Sequence, residues 1–153
     1  HKKYSEDLYF KRIDPKKLII VRPPLIYSIS QKYGYHPGGF LNSALNNKII
    51  KLWGNGKELR EFINIKDAVR IIYEFAKNDF CGIINLTSGQ SQSYLEIASY
   101  IAEVVGVKIQ EMERTGLMVN HTYNNQKLCK IMPNLKFITP LDVVKDELKK
   151  NEF

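Results

Sequence analysis

Two short apolar runs, Leu18-Ile19-Ile20-Val21 and Ile83-Ile84-Asn85-Leu86, set the tightest limit on what this chain can fold into. A strand with one wet face alternates apolar and polar side chains. A run that does not alternate fits a strand covered on both faces, as in a parallel sheet flanked by helices. Parallel strands need a long crossover between them, and the intervening segment has room for helices. The class implied is α/β.

The rest of the chain fills in around those strands. Lys3 to Phe10 reads as a helix that Asp14-Pro15 stops, and Pro23-Pro24 closes the first strand. Residues 27–39 form a long loop at a strand end, where ligands bind in such sheets, and Phe40 to Asn46 follows as a short helix. Asn55-Gly56 predicts a hairpin joining Ile49-Ile50 to Phe62-Ile63, with Arg60 on the rigid ribbon. A guanidinium held there offers a planar fork of donors to a phosphate; the alternative is a solvated strand arginine beside Glu58 or Glu61. Asp67 is placed as the cap of a helix with Ala68, Ile71, Ile72 and Phe75 inward. Ser93 and Glu96 make a capping box for a helix burying Leu95, Ala98, Ile101, Ala102 and Val105, and Gly106 closes it. A short strand over Val107–Met112 and a helix from Thr139-Pro140, with Leu141, Val144 and Leu148 inward, complete the pattern.

With 153 residues, 44% of them hydrophobic, the chain suits one domain or part of a larger one. Its net charge of +7 invites a nucleic-acid partner, but the lysines are dispersed and form no nucleic-acid motif. Anionic small molecules are the better match. Cys81 and Cys129 lack metal-type spacing and read as free thiols in a reducing cytoplasm. No stretch approaches the roughly 20 apolar residues of a membrane span, and no signal peptide is seen, so the expectation is a cytoplasmic protein without a membrane partner. His36 and His121 are read as solvated loop residues and given no catalytic role.

Four stretches together resemble the C-terminal half of the extended short-chain dehydrogenase/reductases, the NAD-dependent nucleotide-sugar epimerases and dehydratases. Val21-Arg22-Pro23-Pro24-Leu25-Ile26-Tyr27 is similar to that family's strand ending in Arg-Pro-x-Asn-x-Tyr-Gly. Gly54-Asn55-Gly56 through Arg60-Glu61-Phe62-Ile63 resembles Gly-Asp-Gly-x-x-x-Arg-Asp-(Phe/Tyr)-Ile. Ile84-Asn85-Leu86-Thr87-Ser88-Gly89 with Ser93 resembles Tyr-Asn-(Val/Leu)-Gly-x-Gly before a serine-capped helix, and Asn124 to Leu128 resembles a late Asp-x-(Ser/Thr)-Lys helix.

The resemblance implies the C-terminal part of a Rossmann-type parallel sheet, with two remaining parallel strands, plus a small α/β substrate-binding subdomain. It divides the chain into residues 1–26 as the tail of the dinucleotide-binding domain, 27–66 as a substrate-binding segment, 67–92 as a helix and strand returning to the sheet, and 93–153 as the C-terminal substrate-binding subdomain. Lys2 aligns with the lysine of the family's Tyr-x-x-x-Lys pair, whose tyrosine is not among these residues, and His1 is either native or a tag remnant. In the full-length enzyme Lys2 is then the catalytic lysine that hydrogen-bonds the nicotinamide ribose of NAD or NADP and lowers the tyrosine's pKa, with Pro23 also at the cofactor. No Gly-x-x-Gly-x-x-Gly turn occurs here, so these residues alone are expected to bind no cofactor and turn over nothing.

On the substrate side, the resemblance assigns Arg60 and Arg114 to the diphosphate of a nucleotide-diphosphate sugar and Lys51 to Trp53 to the base. Trp53 packing in the ribbon, and Arg114 paired with Glu111 or Glu113, are the competing readings. Leu25 stands where the family has a substrate-contacting asparagine, Thr115 and Leu117 replace a proline and an aspartate near Arg114, and Ser28 replaces glycine. A homodimer is implied, and an apolar sheet edge is expected to drive self-association. Two rival functions are a family oxidoreductase acting on a non-nucleotide carbonyl or alcohol, and a non-catalytic binding or regulatory member of the fold.

Overall fold

A computed structural model gives the fold of residues 1–150. Seven strands, β1 (Ile19–Arg22), β2 (Leu25–Tyr27), β3 (Ile49–Trp53), β4 (Leu59–Asn64), β5 (Gly82–Asn85), β6 (Ser91–Ser93) and β7 (Lys108–Met112), are distributed over three small sheets. The longer helices are α1 (Lys2–Arg12), α3 (Ile65–Lys77), α4 (Tyr94–Val105) and α6 (Pro140–Lys150), with shorter α2 (Pro37–Asn42) and α5 (Gln126–Ile131). β1 and β5 run parallel with Ile20 opposite Ile83 and Val21 opposite Ile84, the pairing expected of the two apolar runs. β2 lies parallel to β4, β6 lies antiparallel to β4, and β3 pairs in parallel with β7.

β4 explains why the pieces cohere. Phe62 packs into a core with Tyr27, Phe40, Ile50, Leu52, Ile97, Ile101 and Val144. Its neighbour Ile63 belongs to a second core with Ala68, Ile71, Phe75, Ile84, Leu86 and Leu128. Successive strand residues face opposite ways, so this one strand is the wall shared by both cores.

Several local expectations are corrected. The Asn55-Gly56 hairpin does not form. Gly54 (φ 54°) and Gly56 (φ 65°) take the left-handed region while Asn55 does not, so the turn is not the two-residue type that folds a strand back on its neighbour. It moves the chain from the β3–β7 sheet to the β2–β4–β6 sheet. The cap of α3 is Asn64, whose Oδ1 accepts from Lys66 N at 2.9 Å, because the helix starts before Asp67 rather than after it. Asp67 is instead buried, accepting from Arg70 at 2.8 Å and from Ile138 N at 2.7 Å, which ties the C-terminal segment to α3. Ile72 points outward, 47% exposed, since the inward stripe of α3 is Ala68, Ile71 and Phe75.

The helix placed over residues 40–46 begins at Pro37 and passes into a π-helical turn over Ser43–Asn47. His36 starts it: its Nδ1 accepts from Gly39 N at 3.1 Å, and Pro37 has the φ a first turn needs. His36 is therefore a cap rather than a solvated residue. β1 is half-exposed rather than covered on both faces, because α1, with no buried residue, stands off it across an open groove. Ser93 caps α4 by accepting from Glu96 N at 3.0 Å, but the Glu96 carboxylate accepts from Gln92 instead of closing the expected box; the left-handed Gly106 (φ 74°) and the inward Val144 and Leu148 of α6 are found as read. No helix of the described residues is long and apolar enough to cross a membrane.

Candidate functional site

The glycine turn builds the site. Gly54 N donates to Met112 O at 2.7 Å, closing the end of the β3–β7 pair, and the chain after β7 carries Arg114 back over the turn. A Cβ on Gly54 would lie 2.9 Å from Arg114 Nε, so a larger residue here would push this guanidinium aside. Arg114 Nη2 donates to Trp53 O at 2.9 Å and to Glu58 Oε2 at 2.5 Å. The competing pairings of Arg114 with Glu111 or Glu113 are not made; the partner is Glu58.

Arg60 reaches the same place from β4. Its Nη1 donates to Leu59 O at 3.0 Å and to Val119 O, and its guanidinium carbon sits 5.6 Å from the centre of the Tyr94 ring. Arg60 and Arg114 line one cavity of about 260 Å³, with Glu58 between the elements that carry them. Tyr35, Trp53 and Tyr94 wall it, and Tyr35 stands 5.4 Å from Trp53 and 5.6 Å from Tyr94, centre to centre. Burial pushes the phenols of Tyr35 and Tyr94 above the ordinary tyrosine range, Arg60 partly offsetting this at Tyr94. Both remain neutral hydroxyl donors at physiological pH.

A segment after Arg114 closes one side and is pinned to β4 along its length. Leu59 N donates to Asn120 Oδ1 and His121 N donates to Leu59 O, each at 2.9 Å, while Arg60 holds Val119 and Glu61 accepts from Tyr123 N at 2.7 Å. His121 thus contributes its backbone.

The other expected site residues are spread out. Trp53 lines the arginine cavity, but Lys51, two residues earlier on the same strand face, lines a neighbouring cavity of about 630 Å³ with Lys32, Asn42 and Asn46. Tyr35 belongs to both and joins them. Leu25 on β2 is 42% exposed, sits opposite Phe62, and is absent from the lining of the arginine cavity. Lys2 and Pro23 meet elsewhere, at a groove of about 570 Å³ between α1 and β1. Glu6 and Arg22 form an ion pair there, and the Arg22 hydrogen bond holds the Glu6 carboxyl below its usual range. This groove sets the Lys2 ammonium and the Ser5 hydroxyl against an apolar wall from Ile13 to Val21. No glycine is among the residues that line it.

Sequence reasoning missed Tyr35, Tyr94 and the lining role of Glu58. The spacing of Glu58 and Arg60, two apart at the start of a strand, was the available signal that both face one way. Among the described residues no cluster of histidine, cysteine or acidic side chains is fit to hold a metal ion.

The sequence model of the NAD dependent epimerase/dehydratase family matches residues 9–86. The dTDP-4-dehydro-6-deoxy-D-allose reductase of Streptomyces bikiniensis is 27% identical over 93 residues, 58% of this chain and 28% of that protein. Among solved structures, the Helicobacter pylori ADP-L-glycero-D-manno-heptose-6-epimerase superposes with a TM-score of 0.78 at 18% identity, over 99% of this chain and 49% of that one. The NAD complex of the Bacillus anthracis dTDP-glucose 4,6-dehydratase gives 0.77 at 17% identity, over 99% of this chain and 50% of that one. The chain thus spans about half the length of these structures, and the likeness establishes a Rossmann-like α/β fold.

Proposed function

The chain belongs to the NAD dependent epimerase/dehydratase family, and from that premise we propose that it supplies the part of such an enzyme that holds the nucleoside diphosphate of a sugar-nucleotide substrate. The observation carrying this reading is the convergence of Arg60 and Arg114, from distant points in the sequence, on one cavity walled by Tyr35, Trp53 and Tyr94. Two guanidiniums can grip two phosphates, and rings beside them can cover a base. Fixing the nucleotide leaves the sugar to be oriented by the rest of the enzyme. That the named relatives are a reductase, an epimerase and a dehydratase of dTDP- and ADP-linked sugars supports the same substrate class.

In this proposal Lys2 and Pro23 border the nicotinamide end of an NAD or NADP site completed by other residues, and Leu25 leaves the sugar one amide contact fewer. Residues 1–153 on their own catalyse no turnover, because neither the glycine turn nor the tyrosine partner of Lys2 is among them. Working as a cytoplasmic homodimer belongs to the same reading, and the unpaired Cys81 and Cys129 are consistent with a reducing compartment.

The competing reading, that both arginines are structural, draws on their bonds to Val119 O and Trp53 O. Calorimetric titration with uridine, thymidine, guanosine and adenosine diphosphates separates the two. At least one should bind, and Arg60→Ala should weaken it by about 10- to 100-fold, the effect of a charged hydrogen bond. Undiminished binding to both Arg60→Ala and Arg114→Ala overturns the proposal.

A further inference from the structure

Glu58 is an anion built into the site. It is 3% exposed, it lines the arginine cavity, and its Oε2 lies 2.5 Å from Arg114 Nη2. Arg60 differs: it donates to the main-chain oxygens of Leu59 and Val119 and takes part in none of the ion pairs among the described residues. Two guanidiniums and one carboxylate therefore leave the cavity a single net positive charge. The uncompensated charge is on Arg60, and Arg114 is already engaged by a carboxylate held at hydrogen-bond distance.

We infer that Glu58 is an affinity-setting residue of this site, an internal competitor that a bound diphosphate must displace from Arg114 or tolerate as a like charge beside it. The inference rests on the diphosphate reading given above. A phosphate approaching Arg114 finds Nη2 already bonded to Glu58 and to Trp53 O, and inside a cavity walled by aromatic rings its repulsion from the Glu58 carboxylate is weakly screened. The device favours release: it holds Arg114 in place when no phosphate is bound and limits how tightly a product nucleotide is retained. Arg60 provides first capture, and Arg114 is won only by a ligand that brings a second phosphate.

Inorganic pyrophosphate, which needs no knowledge of the base, is the probe. Isothermal titration of the full chain compares wild type, Glu58→Gln and Glu58→Asp. Glutamine keeps an oxygen for Arg114 while removing the charge, and should tighten pyrophosphate binding about tenfold or more. Aspartate keeps the charge but draws it back by one methylene, so its affinity should fall between the two, and it serves as the test if the glutamine variant does not fold. If pyrophosphate binds wild type while the variants bind it equally or less tightly, the inference fails and Glu58 merely positions Arg114. The diphosphate reading survives that result. Binding to none of the three overturns both.

Discussion

Glutamine at position 61 keeps the shape of the native glutamate and should nonetheless cost the fold heavily. Glu61 is 2% exposed; its Oε1 accepts from Tyr123 N at 2.7 Å and its Oε2 from Gly89 N at 3.2 Å. Both of its oxygens face backbone donors, and glutamine has only one acceptor to offer. One bond to a charged acceptor is lost, worth about 1.5–3 kcal/mol, and the donor left without a partner in a buried place adds about 1–3 kcal/mol, so roughly 2–4 kcal/mol should disappear after partial relaxation. In a chain of this size that lowers Tm by roughly 5–15 °C. Urea and thermal unfolding give the total, and amide hydrogen exchange gives the location: protection should fall first at Gly89 and Tyr123, which the carboxylate ties to β4. Glu6→Gln, which breaks an exposed ion pair with Arg22, should leave the midpoint where it was. An unchanged midpoint for Glu61→Gln, or protection lost evenly over the molecule, would refute the reasoning.

Two further outcomes follow from the same structure. Gly39→Ala should cost more than about 2 kcal/mol, because its Cβ would lie 2.1 Å from Gly34 O. Gly106→Ala meets nothing within 4 Å and should cost only the left-handed strain of φ 74°, about 1 kcal/mol; equal losses in urea titrations of the two would contradict this. Burial raises the pKa of Tyr27, 1% exposed, and of Tyr94, 9% exposed, above the ordinary tyrosine value. The native state therefore keeps these protons when the unfolded state has released them, and stability present below pH about 10 declines above it by up to about 1.4 kcal/mol per pH unit for each of the two. A urea midpoint that stays flat from pH 9 to 11.5 would count against it, and Tyr27→Phe should make the decline shallower.

Local chemistry made much of the molecule legible. The non-alternating runs announced parallel strands, and Ile83 and Ile84 do lie beside Ile20 and Val21. Ser93, Glu96 and Gly106 marked both ends of α4, since caps depend on residues within one turn of each other. Reading failed where a residue's role depended on a distant partner. Asn55-Gly56 has the composition of a hairpin turn, yet β3 found β7 and β4 found β2 and β6, because Ile50 and Leu52 are buried with α4 on one side of the turn and Phe62 and Ile63 in two cores on the other. Asp67 looked like a cap because nothing nearby in sequence hinted at the Ile138 amide it receives.

By itself the sequence determined the α/β class, both ends of α4, the start of α6 and the family, all of which are written in periodicity, caps and short motifs that neighbouring residues satisfy among themselves. Only the tertiary structure decided that Arg114 pairs with Glu58, that Tyr35 and Tyr94 wall the cavity holding both arginines, and that Lys51 lies in the next cavity. Those are contacts between elements far apart along the chain, and their free energies are set by burial and charge at closure, which no local pattern encodes.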